Sequence, residues 1–534
     1  MQFGSDSKML FNLLRRTFSH EILPAIRHYS STAPIVTSGS EQVLELLSEI
    51  YTRGKDYGFH TDYFKNLQQE NIIVEYSSPN IAKMFHVGHY RSTVVGNVIS
   101  GILSAAGHNV CKMNYLGDWG VQFALLALSY KKYGNPTALK EKPLFHLYEL
   151  YVKISKEAEE NLQIKEEAQE VFLDMENGNA DALQFWKCCR ELSISEYKKL
   201  YHSIGVEFDV FSGESMYIDK SREVLEILKE KDLLYWDNGA LKINLAGSKW
   251  LSKSPQIYQH PVLARKNGTS LYLTRDVAAA IDRFNDYKFD RMIYVTDISQ
   301  AEHFNQIFAI LEKMGFPWAD KNTEMLMHVG FGRIHKMQTR KGNMTFLHDL
   351  LEDAYQKAHE DRLYCKTRKM PLTPKDDVTK IVALSGLIYH DLKARLSKGY
   401  NFNLEAALAS KGSSGLFLQA THCRLCSLEA NAGVHCIPQV DVDRILSEPS
   451  LVELIEHLNK YTTMTKTLYE TLEPCILLRY LFDLCHLTAK ALIPCTVKGA
   501  DIADAQARLL CFYCAKTILG NGLRLMGVPP LVKM

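Results

Sequence analysis

The chain has almost no net charge, no long apolar run and no sign of a secretory leader. Lys+Arg total 62 against Asp+Glu 61, a formal charge of +1. No global basic field therefore draws it to nucleic acid, and an RNA partner must be held by local patches and shape. The longest stretch free of Asp, Glu, Lys and Arg, Ser92 to Cys111, is broken by Ser, Gly and Asn. It is no membrane span, and no membrane partner is expected. Twelve cysteines in 534 residues, without a leader, indicate a reducing compartment. The C-x-x-C pairs Cys423/Cys426 and Cys511/Cys514 lie in apolar-periodic helical text rather than tight turns. They read as helix-packing thiols, and no structural metal is expected. Acids are also scarce in the first 34 residues, Asp6 and Glu21 being the exceptions, while Arg, Leu and Ser are frequent. That composition matches an amphipathic presequence addressed to the mitochondrial matrix, the alternative being a disordered tail.

What is present is ordinary globular text, 46% hydrophobic and 23% charged, long enough for several domains. "NIIVEYS" is a short β-branched apolar run, readable as a buried strand beginning at residue 71. After a turn at Pro79, the residues Val94, Val95, Val98, Ile99, Ile102, Leu103 and Ala106 recur at helical spacing up to Gly107. "NVCKMNYLG" follows as a second strand, giving a βαβ unit whose ligand crevice lies beyond the strand carboxyl ends. Residues 143–206 are charged helical segments, read as part of an insertion at about 130–265. Alternation returns at "SLYLTRD" (270–276), "FDRMIYVTD" (289–297) reads as a strand, and Phe304, Ile307, Phe308, Leu311 and Met314 mark a helix. "EMLMHVGFG" (324–332) is another apolar run, and a basic loop "RIHKMQTRKGN" comes after it. From about 378 only helical periodicity is seen.

The fold expected is α/β: a Rossmann-type parallel-sheet domain over 71–377, carrying the helical insertion and followed by an all-α bundle over 378–534. Residues 1–34 are the presequence and 35–70 a short N-terminal extension. At the opening of the first helix stands His86-Val87-Gly88-His89. There the helix amides, the positive dipole end and two imidazoles face one phosphate group, and Gly88 admits a flat ring close to the backbone. An isolated H-x-G-H is more often a surface histidine pair or a cap; the strand–turn–helix setting reverses that weighting.

The wider text resembles the class I arginyl-tRNA synthetases, most closely their mitochondrial form. "VEYSSPNIAKMFHVGHYRST", "NYLGDWGVQF", "SLYLTRDVAAAIDR", "IYVTDISQAEHFNQIF", "MQTRKGNMTFLHDLLEDA", "GLFLQATHCRLCSLE" and "NGLRLMGVPPLVKM" match family blocks in family order, from roughly residue 42 to the end. The resemblance implies that L-arginine and ATP form arginyl-adenylate, and that the arginyl group passes to the 3′-terminal adenosine of tRNA(Arg). By resemblance, Glu75 and Asp276 grip the guanidinium, Tyr272 stacks on it or bonds it, and Asn80 and Gln300 hold the amino-acid end. A planar five-donor fork needs carboxylates at its rim; lysine or ornithine cannot satisfy both, and citrulline lacks the charge.

His86, Gly88 and His89 would meet ATP, the imidazoles as donors to phosphate rather than as bases, together with the loop Lys336-Met337-Gln338. That loop departs from the family's "KMSKS": Thr339 stands at the second lysine, and Lys83 is expected to supply the missing charge. Gln338 replaces a frequent serine. Mg²⁺ is expected with ATP, held by phosphates and water. The bundle resembles an anticodon-binding domain, with Arg424 as a phosphate contact. Phe417 reads as a stacking platform or, with greater weight, as core. The family often has an aromatic where Ala420 stands, and its domain for the tRNA elbow looks shortened here. A monomer is expected by resemblance. Two rival readings are a catalytically silent RNA-binding relative and a small-molecule adenylyltransferase that shares H-x-G-H.

Overall fold

The computed structural model describes residues 39–265, 271–335, 346–363, 376–409, 412 and 414–534. The expected presequence and the loop carrying Lys336, Met337, Gln338 and Thr339 lie outside the described residues. Among the described residues the strands are β1 (Asn71–Glu75), β2 (Asn109–Leu116), β3 (Val210–Gly213), β4 (Leu234–Asp237), β5 (Ala240–Ile243), β6 (Val262–Arg265), β7 (Arg291–Asp297), β8 (Leu326–Phe331), β9 (Ile334–His335) and β10 (Tyr400–Asn401).

The central sheet has the order β3-β2-β1-β7-β8 and is parallel throughout. β1 reads as an unbroken apolar run because both of its faces are covered. Ile72 and Val74 face one hydrophobic cluster and Ile73 the other, the two-residue alternation of a strand. Helix α1 (Val87–Ala105) lays Val94, Val95, Val98, Ile99, Ile102 and Leu103 on the first face. Gly107, just past its end, has φ of 95°, the left-handed conformation that stops a helix. Between β2 and β3 run several helices, the last of them α2 (Ala180–Ser203). β3 is an edge strand of the main sheet inside the span read as an insertion. The four residues "VFSG" give too little periodicity to show it.

One stretch differs from its sequence reading. "SLYLTRD" is not a strand: helix α3 begins at Tyr272 and runs to Tyr287. Leu271 is extended at the N-cap, and Leu273, Val277 and Ala280 are buried at spacings of four and three, so the apparent alternation is only the first helical turn. Helix α4 (Ala301–Met314) follows β7, and α3 and α4 cover the second face of the sheet.

The carboxyl-terminal helices α5 (Asp377–Leu392), α6 (Gly415–Ala430), α7 (Pro474–Ala491) and α8 (Ile502–Leu525) share one core with the α1 face. Cys423 on α6 and Cys511 and Cys514 on α8 are buried and reduced, and burial pushes the Cys423 thiol up to about 12. The junction is fastened by Arg91 of α1, which is fully buried. It donates to the Gly332 and Lys398 carbonyls, the latter at 3.0 Å, and faces Asp391 of α5 at 3.7 Å. Two-residue strands β9 and β10 pair in parallel beside it, just before the loop at 336. Among the described residues no helix is long and apolar enough to cross a membrane.

Candidate active site

Residues 76–86, between β1 and α1, take a tightly specified path. Ser77, Ser78 and Ala82 have φ of 73°, 48° and 57°. Non-glycine residues in that region cost roughly 1–3 kcal/mol each and persist only where surroundings over-determine them. The surroundings are on hand. Ser77 N donates to Ser92 Oγ at 2.9 Å, and Ser92 Oγ donates to the Val295 carbonyl at 2.8 Å. From α2, Ser193 Oγ accepts from Ala82 N at 2.9 Å, and Tyr201 OH meets Ser77 Oγ at 2.7 Å. Tyr197 OH lies 2.6 Å from the Asn80 carbonyl and 2.8 Å from that of Lys83. Ser193, Tyr197 and Tyr201 recur every fourth residue, one face of a helix, and this face braces the turn.

His86 caps α1 and its Nδ1 accepts from Gly88 N at 3.1 Å, which leaves Nε2 as the N–H of the neutral ring. The His86 and His89 rings stack, with centroids 3.7 Å apart and planes 23° apart. Burial lowers both, His89 well below the ordinary histidine range, and the Lys83 ammonium adds to the effect at each. Two neutral imidazoles and one lysine thus meet at the amino end of a 19-residue helix. They offer donors and one full positive charge to a phosphate chain. The Lys83 ammonium lies 5.1 Å from the Tyr151 ring centroid and 3.5 Å from Gln122 Oε1, at the limit of a hydrogen bond.

The acids collect at the carboxyl edge of the sheet, where β1, β2 and β7 end. Glu75 closes β1 and pairs in register with Met113 of β2 and Tyr294 of β7. Its Oε2 lies 2.5 Å from Arg283 Nη1 of α3, and both side chains are buried. Burial raises the Glu75 carboxyl, Arg283 pulls it back, and Asp276 pushes it up again, so the two acids feel one another. Asp276 is about one-fifth exposed and its Oδ2 is 2.7 Å from His303 Nε2 of α4. Glu214 lies 3.1 Å from Arg275 and also senses Asp276; burial raises it.

Of the residues singled out in the sequence, the structure brings together Lys83, His86 and His89 as one group, and Glu75 and Asp276 as another. The two acids are not equally open: a carboxylate buried as deeply as Glu75 requires a counter-charge, and Arg283 is that charge. Tyr272, one turn before Asp276 on α3, is exposed at the rim with its ring 5.0 Å from the Arg275 guanidinium. Asn80 is bridged to Gly117, and any side chain there would strike its Oδ1. Gln300 is exposed on the turn Ile298–Gln300 beyond β7. Arg424 and Phe417 sit on α6, apart from this group; Arg424 is exposed, whereas Phe417 is half-buried and parallel to Phe482 at 6.3 Å. Arg283, His303 and Glu214 are members that sequence reasoning missed. Seven residues from Asp276, or two helical turns, was the available signal for Arg283. Among the described residues no group of three or more His, Cys, Asp or Glu could hold a metal ion.

Comparison with known proteins covers most of the chain. The family model described as "tRNA synthetases class I (R), catalytic domain" matches residues 59–404, and "DALR anticodon binding domain" matches 418–534. A Homo sapiens protein named "Probable arginine–tRNA ligase, mitochondrial" is 39% identical over 490 residues, covering 92% of this chain and 83% of its own. The "Arginine–tRNA ligase, mitochondrial" of Saccharomyces cerevisiae is 37% identical over 484 residues, covering 88% and 73%. Among solved structures, the arginyl-tRNA synthetase of Plasmodium falciparum superposes with a TM-score of 0.75 at 26% identity, covering 93% of this chain and 83% of that one.

Proposed function

The chain belongs to the class I arginyl-tRNA synthetases, and from that premise we propose how its described residues charge tRNA with arginine. It is an arginine–tRNA ligase: L-arginine and ATP give arginyl-adenylate and pyrophosphate, and the arginyl group then moves to the 3′-terminal adenosine of tRNA(Arg). The observation that carries the site assignment is the meeting of Glu75 and Asp276 at the sheet's carboxyl edge, where α1 opens with His86 and His89.

The substrate guanidinium enters past Tyr272 and meets Asp276, with the Glu75–Arg283 pair as the floor. Asn80 and Gln300 hold the amino-acid end. The arginine carboxylate attacks the α-phosphorus of ATP and pyrophosphate leaves, with no covalent enzyme intermediate. The protein orients the two substrates and stabilises charge as it develops. His86 and His89, neutral at physiological pH, donate N–H groups to phosphate oxygens. Lys83 supplies positive charge; Lys336, Met337 and Gln338, outside the described residues, are assigned to ATP by resemblance alone. Mg²⁺ arrives with ATP as part of that substrate.

The helical domain takes the anticodon loop of tRNA(Arg), with Arg424 on backbone phosphate, while Phe417 packs on the core beside Phe482. We place the enzyme in the mitochondrial matrix, a reading supported by the acid-poor first 34 residues and the mitochondrial relatives, with a monomer assigned by resemblance alone. A silent RNA-binder lacks a reason for the acid pocket, and a small-molecule adenylyltransferase lacks one for the helical domain. Arginine-dependent ATP–pyrophosphate exchange, with and without tRNA, tests the activity. Exchange that depends on arginine and is supported by tRNA is expected. A folded sample inactive under both conditions would leave the silent RNA-binder standing.

A further inference from the structure

Arg283 is only 2% exposed, yet it carries a full charge into the layer between the central sheet and α3. Its guanidinium contacts Glu75, lies 4.8 Å from the Tyr115 ring centroid and is 5.9 Å from that of Tyr294. Stability alone does not call for this, since well-packed apolar side chains replace a buried ion pair at no loss in many proteins. The pair is buried, whereas Asp276, two turns nearer the amino end of the same helix face, is about one-fifth exposed.

We infer that Arg283 is a positioning residue for substrate selection: an internal guanidinium that holds the Glu75 carboxylate in place beneath Asp276, so that both acids meet the substrate's guanidinium. The inference rests on the reading of Glu75 and Asp276 as arginine contacts. Its physical content is a division of labour. Burial alone pushes the Glu75 carboxyl towards its neutral form, and Arg283 is the largest influence acting against that. The other titratable groups that face the pair are Asp276 and Tyr287 on α3, His303 on α4, Cys111 and Tyr115 on β2, Tyr294 on β7, and Tyr217 after β3. None of these except His303 can carry positive charge. Removing Arg283 therefore lets Glu75 take up a proton, and the ionised acceptor that Glu75 offers the substrate's guanidinium becomes a neutral carboxyl.

The test compares Arg283→Met, Arg283→Lys, Glu75→Gln and the Glu75→Gln/Arg283→Met double variant with the native chain. Arginine KM is measured in tRNA-supported exchange from about pH 6.5 to about pH 9, a window in which a carboxyl deprived of its counter-cation titrates. Arg283→Met is expected to raise KM about tenfold or more near neutral pH, the loss expected for one ionic partner. The ratio of its KM to the native value should fall as pH rises, because Glu75 regains charge. The double variant should show no such pH dependence. Should Arg283→Met not fold, Arg283→Lys carries the test: its charge should keep KM within about threefold of native, well short of losing an ionic partner. A pH-independent ratio, or a lysine variant as impaired as Glu75→Gln, overturns the inference. Glu75→Gln with native KM instead removes the underlying placement of Glu75 in the arginine site, and the inference with it.

Discussion

Replacing Asp276 by Asn isolates the charge that this more open acid is proposed to present to substrate. The side chain keeps its shape, and its amide oxygen can still accept from His303, which meets Asp276 Oδ2 at 2.7 Å. The pocket should therefore stay folded around it. What disappears is one charge-assisted hydrogen bond to a guanidinium. Such a bond is worth about 1.5–3 kcal/mol, or roughly 10- to 150-fold in affinity. Because the guanidinium is remote from the reacting carboxylate, ground state and transition state lose equally. Arginine KM should rise by that factor while kcat at saturating arginine changes little. The assay is ATP–pyrophosphate exchange with tRNA present, with arginine varied and lysine run in parallel. Arginine KM within about twofold of native, less than one such bond is worth, would refute the placement of the guanidinium at Asp276.

Other expectations follow from the same structure. Lys83→Ala should lower kcat more than it raises arginine KM, since its charge is wanted as pyrophosphate departs; a pure KM effect in the same exchange assay would contradict that role. Asp391→Asn removes the nearest counter-charge of the fully buried Arg91. Urea denaturation should show a loss of about 3–5 kcal/mol, and a loss well below that would mean the carbonyl partners alone satisfy Arg91. Burial holds the His328 imidazole down to about 4, whereas an unfolded histidine titrates at 6.5. Above 6.5 both states are neutral and the group adds no pH dependence. Below it the unfolded chain takes up a proton that the folded chain refuses, so folding weakens progressively towards about 4. The native chain should lose its urea-midpoint advantage over His328→Gln in that window; a constant difference contradicts the burial of a neutral ring.

The parallel core of this fold is legible because its signals are local. "IIV" at 72–74 is a β-branched apolar run, and the α1 stripe repeats at helical spacing, so strand, turn and helix can be placed from residues alone. β3 and α3 escape that reading for different reasons. Four residues at a sheet edge carry no period, and the first turn of α3 imitates a strand until Val277 and the alanines after it are counted. The candidate site divides in the same way. His86, His89, Lys83, Glu75 and Asp276 stand in recognisable text. Arg283, His303 and Glu214 do not, because their contribution depends on which carboxylate the folded chain sets against each of them. An arginine in helical text ordinarily reads as solvated, and only the fold shows that position 283 points at the pocket floor. The serine and tyrosines of α2 that hold the strained turn lie over a hundred residues from it in sequence.

The most direct test is the structure of this chain crystallised with a non-hydrolysable arginyl-adenylate analogue. The ligand's guanidinium should lie within hydrogen-bond distance of the Asp276 carboxylate, above an intact Glu75–Arg283 pair, with the phosphate-equivalent group against His86 and His89. A ligand whose guanidinium lies away from both acids, or whose phosphate end faces away from the paired histidines, would contradict that placement.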